Sequence, residues 1–244
     1  MHSDIAILAS AVGYLVGAVS SARIIIRLFG KGQKVVEDTE LSLKGTDEKM
    51  VLKTVSASSV SVQLGSTYGF LTYVCDMLKV IVPVLFFKLW FTEQPYFLLT
   101  AFFALVGHVW PVYYTFRGGR GLSVIYATIL VIDWMGFFAT SIPGMVIGLV
   151  VLKDMLCAYV LGVLFIIPWL WFRTHNVYYL LFAVAANIVF LLAMLPEIKR
   201  WITVRRDRQW GDPAQAMQLS GMGRGLLQMA KKLGLYKQQQ EEER

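Results

Sequence analysis

The residues best suited to chemistry are two arginines and three glycines between two long apolar segments: Arg117, Gly118, Gly119, Arg120 and Gly121. Glycine has no Cβ and lets backbone N–H groups approach a ligand closely. Arginine supplies a planar, permanently charged donor that suits a phosphate. A helix that begins directly afterwards would add unpaired N–H groups and the positive end of its dipole. This glycine loop (residues 117–121) therefore predicts a phosphate site; the alternative is a tight turn whose arginines mark the cytoplasmic side of a membrane.

Three of the ionisable side chains in the apolar segments before the glycine loop are candidates for chemistry. Asp76 and Lys79 are three residues apart, so on a helix they share one face and can pair. Such groups are costly inside a membrane span and normally face the bundle interior or a wet cavity. His108 lies near the end of the next segment, close in sequence to the glycines. All three are candidates for the same site, although a structural ion pair and a packed histidine would give the same pattern.

The composition indicates that the elements holding these residues are membrane helices. The chain has 244 residues, of which 57% are apolar and only 16% are charged, whereas a soluble domain carries more charge. Its long apolar runs reach the roughly 20 residues that a helix needs to cross a bilayer. They lack the alternation of polar and apolar residues that marks a membrane β-barrel. The predicted fold is an all-α, multi-pass membrane protein.

Seven apolar runs predict about seven transmembrane helices. They lie at about residues 5–29, 67–90, 96–114, 122–138, 142–152, 155–172 and 177–195. The boundary between the fourth and fifth runs is the least defined, and a different division near residues 140–144 would change the number by one. Gly13 and Gly17 in the first run have the spacing that favours close packing against another helix. Together the runs form a membrane domain over residues 1–204.

The polar segments carry most of the charge and determine the predicted topology. Residues 30–65 form a charged loop without an obvious helix, either folded over the active face or solvated, and residues 205–244 form a basic tail. With the N-terminus outside, both segments and the glycine loop lie in the cytoplasm, as the positive-inside rule requires. Apolar residues at helical spacing over 222–236 predict an amphipathic helix on the inner membrane surface, with a solvated tail as the alternative.

Charge and cysteine content narrow the classes of ligand. The formal net charge of +7 indicates contact with anionic membrane lipids rather than with nucleic acid. Cys75 and Cys157 both lie inside apolar runs, and neither their number nor their spacing suggests a disulfide framework or a metal site. No cofactor is predicted.

The segment GHVWPVYYTFRGGRGLSV (residues 107–124) resembles the bacterial acyl-phosphate:glycerol-3-phosphate acyltransferases, the PlsY family. That family carries a Gly-His-x-x-Pro segment followed by Phe-Lys-Gly-Gly-Lys-Gly, and arginines replace both lysines here. The opening GYLVGAVSSA is similar to the family's first-helix motif GYLxGSxPxA, with Ser21 in place of the usual proline. Asp76 and Lys79 resemble an Asp-x-x-Lys in the family's second span. The resemblance covers roughly residues 10–205.

Two other motifs of that family are altered in this chain. In the first cytoplasmic loop, an ungapped alignment places Leu52 where the family has a catalytically important serine, and Val62 where it has an arginine. A gapped alignment offers Lys53 as the cation instead. At the end of the last helix the family reads His-Arg-x-Asn-Ile-x-Arg. This chain reads MLPEIKR, so Met194 and Glu197 replace the histidine and the asparagine.

The resemblance implies transfer of a fatty acyl group from acyl phosphate to glycerol 3-phosphate, giving lysophosphatidate in phospholipid biosynthesis at the cytoplasmic face of the inner (cell) membrane. Both substrates would bind at His108 and the glycine loop, with Asp76, Lys79 and Lys53 in support. The altered motifs favour a different outcome, an inactive relative that binds an anion or lipid and acts as a partner in phospholipid metabolism. A small transporter is a third class, but the chain shows no internal repeat. No protein partner is identified by the sequence.

Overall fold

The protein, as a computed structural model, is described over residues 2–30, 39–42, 49–52, 55–152 and 154–206. Helices account for nearly all regular structure in these ranges. They are α1 (Ser3–Ala18), α2 (Ser21–Phe29), α3 (Ala57–Leu64), α4 (Ser66–Trp90), α5 (Tyr96–Val109), α6 (Leu122–Ile132), α7 (Trp134–Val146), α8 (Met155–Leu164), α9 (Ile166–Thr174) and α10 (Val177–Arg206). A short antiparallel hairpin of β1 (Thr39–Ser42) and β2 (Lys49–Leu52) lies in the polar loop, with Thr39 opposite Leu52.

Most of the helices are long and apolar enough to cross a membrane. Six segments of the described chain meet both criteria: Ser3–Phe29, Ser66–Trp90, Tyr96–Tyr114, Trp134–Val151, Leu156–Thr174 and Val177–Lys199. A seventh apolar helix, α6, is shorter. Large apolar side chains such as Val82 and Leu181 are exposed on these helices, where contact with lipid tails removes them from water. The predicted all-helical, multi-pass membrane fold is confirmed, with a number of helices near seven.

The predicted boundary between the fourth and fifth spans is wrong. The apolar runs put it near residues 139–141, but α6 already ends at Ile132, and α7 begins at Trp134. The helix breaks at Asp133 because the Asp133 carboxylate caps α7, accepting a hydrogen bond from the Met135 N–H at 3.2 Å. Apolar residues continue on both sides of this single aspartate, so the periodicity of the sequence does not reveal the break.

Close packing of α1 against α5 brings the first helix to the site. A Cβ at Gly13 would overlap the backbone of Thr100, and a Cβ at Gly17 would overlap the backbone of Ala104. The predicted role of these two glycines in close helix packing is therefore confirmed, with α5 as the partner.

The polar loop contains a helix that the sequence analysis missed. Within the segment predicted to lack an obvious helix, α3 is capped by Ser56 and Ser59. The Ser56 N–H donates to Ser59 Oγ at 2.9 Å, and Ser59 Oγ donates to the Ser56 carbonyl at 2.8 Å. A Cβ at Gly69 of α4 would overlap Ser61. Because Gly69 leaves this space open, α3 lies directly on the first turns of α4.

The last helix extends beyond its predicted end. α10 continues through Pro196 to Arg206 and so crosses the predicted domain boundary after residue 204. The amphipathic helix predicted over 222–236 lies outside the described residues.

Candidate functional site

The glycine loop reverses the chain between α5 and α6. After α5 a 3₁₀ turn, Val112–Tyr114, leads into the loop, whose Gly119 N–H donates to the His108 carbonyl at 3.0 Å. Gly121 has a φ of 88° and immediately precedes α6, a conformation that favours glycine. The helix predicted to follow the loop is therefore present. The N–H of Gly119, however, is used within the protein and does not point at a ligand.

All three glycines of the loop pack against α5 without room for a side chain. A Cβ at Gly118 would overlap the His108 carbonyl, and a Cβ at Gly119 would overlap His108 Nε2. A Cβ at Gly121 would overlap the side chain of Leu105. The glycines thus allow the loop to lie directly on the histidine and the last turns of α5.

Asp76, Lys79 and His108, which we call the Asp76 cluster, form a buried ionic group behind the loop. Lys79 Nζ lies 2.8 Å from Asp76 Oδ1 and 3.2 Å from His108 Nδ1. It also donates to the carbonyl of Val19 at 2.5 Å, in the break between α1 and α2. Because an ammonium group can only donate, His108 Nδ1 must accept. The proton of the neutral ring is therefore on Nε2, the atom nearest Gly119.

A cavity of about 450 Å³ opens in front of these residues. Its lining includes Asp76, His108, Arg120 and Gly121, four of the residues that the sequence analysis selected. The volume is within the range of roughly 300–1,000 Å³ typical of small-molecule sites. In the described residues, no group of three or more His, Cys, Asp or Glu side chains could hold a metal ion.

Further residues of the cavity wall were missed by the sequence analysis. Ser56, the N-cap of α3, lines the cavity together with Ser58 and Ser61 of α3 and Ser123 in the first turn of α6. The remaining lining is largely aromatic or apolar and includes Phe70, Tyr73, Tyr159, Phe190 and Met194. The serine-rich stretch gave a signal in its composition, but only the fold shows that it faces the glycine loop.

The other selected residues lie around the cavity or outside the described chain. Gly118, Gly119 and Lys79 are not part of the cavity lining; the two glycines pack against His108, and Lys79 contacts Asp76 and His108. Arg117 is exposed and likewise does not line the cavity. Lys53 is outside the described residues.

Arg23, from α2, holds the glycine loop in place and was not selected from the sequence. It is only 5% exposed. Its Nη1 donates to the Arg117 carbonyl at 3.0 Å, and its guanidinium group lies 4.4 Å from the ring centroid of Tyr114. An arginine inside an apolar run costs free energy unless it has such partners. The position of Arg23 in an apolar run was therefore the sequence signal that could have identified it.

Arg120, the cation at the cavity wall, is paired with an acidic residue. Its Nε lies 2.7 Å from Glu197 Oε1 of α10, and the two side chains are 14% and 19% exposed. Glu197 and Met194 are the two residues that replace the family's asparagine and histidine in the alignment above, and Met194 lines the cavity. The altered motif and the glycine loop therefore meet at one place.

The chain can be assigned to a family by comparison with known proteins. A sequence model of the family described as glycerol-3-phosphate acyltransferase matches residues 7–204. The chain belongs to this family. Among acyltransferase relatives, the glycerol-3-phosphate acyltransferase of Mycoplasma mycoides subsp. mycoides SC is 30% identical over 218 residues, 81% of this chain and 77% of that protein. That of Legionella pneumophila (strain Corby) is 35% identical over 119 residues, and the match spans 49% of this chain but only 38% of that relative.

Solved structures agree with the helical membrane fold. The chain is similar to the crystal structure of PlsY (YgiH), described as an integral membrane glycerol 3-phosphate acyltransferase in its glycerol 3-phosphate form, with a TM-score of 0.65. The match covers 82% of this chain and 93% of that chain at 21% identity. The lysphosphatidic acid form of that protein gives a TM-score of 0.64 at 20% identity. At this identity the likeness shows a common fold, and the resemblance to the PlsY family is confirmed.

Proposed function

We propose that the protein transfers a fatty acyl group from acyl phosphate to the 1-hydroxyl of glycerol 3-phosphate. The hydroxyl oxygen forms the new ester bond to the acyl carbon, and the bond between that carbon and the phosphate oxygen breaks. Phosphate leaves, and the hydroxyl proton passes to it or to water. The lipid product is lysophosphatidate.

The observation that carries this proposal is the convergence of the glycine loop, the Asp76 cluster and the serines of α3 on one cavity. Acyl phosphate is already an activated donor, so the reaction mainly requires two anionic substrates to be held close together and oriented. Arg120, the first turn of α6 and the hydroxyls of Ser58, Ser61 and Ser123 are suitable donors for phosphate oxygens.

Two further residues have roles in this proposal. His108 carries the Nε2–H at the back of the glycine loop, and Asp76 with Lys79 fixes its orientation and tautomer. Lys53 is the proposed source of a second cation from the first cytoplasmic loop, in place of the arginine missing at Val62.

A second candidate is a relative that binds an anion or lipid at this cavity without acyl transfer. Two observations favour it: Glu197 neutralises Arg120 at 2.7 Å, and apolar Met194 lines the wall where the resemblance calls for a histidine. In this case the protein acts as a partner in phospholipid metabolism rather than as its catalyst.

An acyl-transfer assay separates the two candidates. Purified protein in detergent or nanodiscs is given radiolabelled glycerol 3-phosphate and palmitoyl phosphate, beside a family member with intact motifs as a positive control. We expect labelled lysophosphatidate, abolished when acyl phosphate is replaced by acyl-CoA. No product from this protein under conditions where the control is active would decide for the non-catalytic candidate.

We propose further that the protein lies in the inner (cell) membrane with its N-terminus outside, its C-terminal tail in the cytoplasm and its cavity open towards the cytoplasmic side. The charge distribution of the loops supports this arrangement. A variant with Cys75→Ser and Cys157→Ser would carry single reporters at Ser3→Cys or Gln215→Cys. An impermeant thiol reagent applied to intact cells should label the first reporter and not the second; the reverse result would overturn the topology and the sidedness of the site.

A further inference from the structure

The Arg120–Glu197 pair lies at the cavity, where both of its charges would act on an anionic ligand. Arg120 lines the cavity beside Gly121 and the start of α6, and Glu197 approaches it from α10 at 2.7 Å. The two side chains come from elements far apart in sequence and are each mostly shielded from solvent. Water therefore screens their charges only in part.

Two cations of the site have anionic partners in the described chain: Lys79 pairs with Asp76, and Arg120 pairs with Glu197. A phosphate that binds to the remaining N–H groups of Arg120 brings its charge close to the Glu197 carboxylate. Like charges at short range in a shielded site disfavour each other.

We propose that Glu197 is a specificity-determining residue that competes with the phosphate group of the substrate for Arg120. This inference rests on the proposed phosphate-binding role of the glycine loop. When the ligand binds, its phosphate replaces the Glu197 carboxylate as the counter-ion of Arg120. An anionic ligand must therefore interact with Arg120 more strongly than Glu197 does. Weakly charged anions are held out, while a phosphate, with more charge and several acceptor oxygens, displaces the carboxylate.

The opposite role for Glu197 makes a different prediction. If Glu197 only orients Arg120 for the ligand, loss of its charge releases the arginine, and the affinity for phosphate falls. If Glu197 competes with the ligand, loss of its charge raises the affinity. The direction of the change therefore distinguishes a competitor from a positioning residue.

The experiment is titration calorimetry at fixed ionic strength with inorganic phosphate and, separately, glycerol 3-phosphate. The proteins are the unaltered chain, Glu197→Gln, Glu197→Ala, Arg120→Gln and the double variant Glu197→Gln/Arg120→Gln. Glutamine keeps the shape of the side chain and removes its charge; alanine provides a second test if the glutamine variant does not fold. Asp133→Asn is the matched control, because it removes a carboxylate that pairs with Arg173 at 2.9 Å but does not line the cavity. Thermal unfolding confirms that each variant is folded.

We expect both Glu197 variants to bind phosphate about tenfold more tightly or better, since a hydrogen bond to a charged group has that order of effect. The double variant should lose this gain, and Asp133→Asn should bind as the unaltered chain does. Unchanged or weaker binding by the Glu197 variants, with binding by the unaltered chain intact, would overturn the inference and leave the proposed phosphate site standing. If neither ligand binds to any of the proteins, the proposed function fails and the inference fails with it.

Discussion

Two ionic clusters hold helices together in the bundle, and only one of them borders the cavity. The Asp133 cluster consists of Asp133, Trp169 and Arg173. Asp133 Oδ2 accepts from Arg173 Nε at 2.9 Å and from Trp169 Nε1 at 3.0 Å, while Oδ1 caps α7. In the Asp76 cluster, about halfway along α4, Asp76 and His108 line the cavity.

The comparison shows that an ionic pair in an apolar helix is not by itself evidence of a functional site. Asp133 uses both carboxylate oxygens to hold α7 and α9 together, and it does not line the cavity. The Asp76 cluster differs because the glycine loop packs on its histidine and a cavity opens beside it. The glycine loop and the cavity beside it therefore distinguish the candidate site from an ion pair that only holds helices together.

The expected difference in ligand binding comes from adding one methyl group beside each cluster. In Gly119→Ala, the new Cβ overlaps His108 Nε2, so the imidazole or the loop must move. We expect phosphate affinity to fall roughly ten- to a hundredfold, the effect of one lost hydrogen bond to a charged group. Titration with phosphate or glycerol 3-phosphate measures it.

Gly136→Ala is the control for that change, because its Cβ overlaps the indole nitrogen of Trp169 in the Asp133 cluster. This variant should unfold at a lower temperature and bind phosphate normally. Normal phosphate binding by Gly119→Ala would mean that the glycine loop is only a turn.

The next effect concerns stability and compares the two ion pairs. In Lys79→Met, the 4%-exposed Asp76 side chain loses its cation, and an uncompensated buried charge costs about 3–5 kcal/mol. In Arg173→Met the cost should stay below about 1 kcal/mol, because Arg173 is 45% exposed. Measuring the free energy of unfolding of both variants in the same detergent tests this difference in stability.

A second variant checks the cause of the Lys79 effect. Adding Asp76→Asn to Lys79→Met removes the unpaired charge and should restore part of the lost stability. If Lys79→Met and Arg173→Met lower the free energy of unfolding by the same small amount, the Asp76 cluster is more hydrated than its burial indicates.

The smallest expected effect is a pH dependence at the Asp133 cluster, which lies between membrane segments. Burial raises the pKa of Asp133, but hydrogen bonds from Arg173 and Trp169 and the charge of Arg173 outweigh burial and hold the pKa below 3.8. The cluster therefore contributes stability that is fully present above about pH 4 and is lost as the pH falls through the lowered pKa. Its size should be less than about 1 kcal/mol. As the pH is lowered from 6 to 3, the free energy of unfolding should fall more steeply for the unaltered chain than for Asp133→Asn. Parallel curves for the two proteins would contradict the predicted pH dependence.

The helical membrane fold follows from the sequence because long apolar runs leave few other structures possible in lipid. The close packing of Gly13 and Gly17 could also be predicted, since small residues at this spacing allow two helix backbones to approach. The break at Asp133 could not be predicted in the same way. A capping aspartate and an aspartate in a continuous helix look alike in an apolar sequence until the partners of the carboxylate are known.

The candidate site could be predicted only in part, for a similar reason. Local spacing pairs Asp76 with Lys79 and places His108 near the glycine loop, and the structure brings these together. The contacts of Arg23 with Arg117 and of Glu197 with Arg120 join distant segments. No periodicity within either segment encodes such contacts, so they depend on the fold.

The short helix α6 has a consequence for where the two substrates meet. Its 11 residues rise about 16 Å, roughly half of the 30 Å hydrocarbon layer. It ends near Lys88, in the last turn of α4, which donates to the Val131 carbonyl. The glycine loop at its other end therefore lies at the depth of Lys79, roughly 20 Å along α4 from Ser66. If the protein is the proposed acyltransferase, the water-soluble acceptor enters the membrane domain to reach the lipid donor. The fatty chain of the donor then stays in the hydrocarbon layer throughout the reaction.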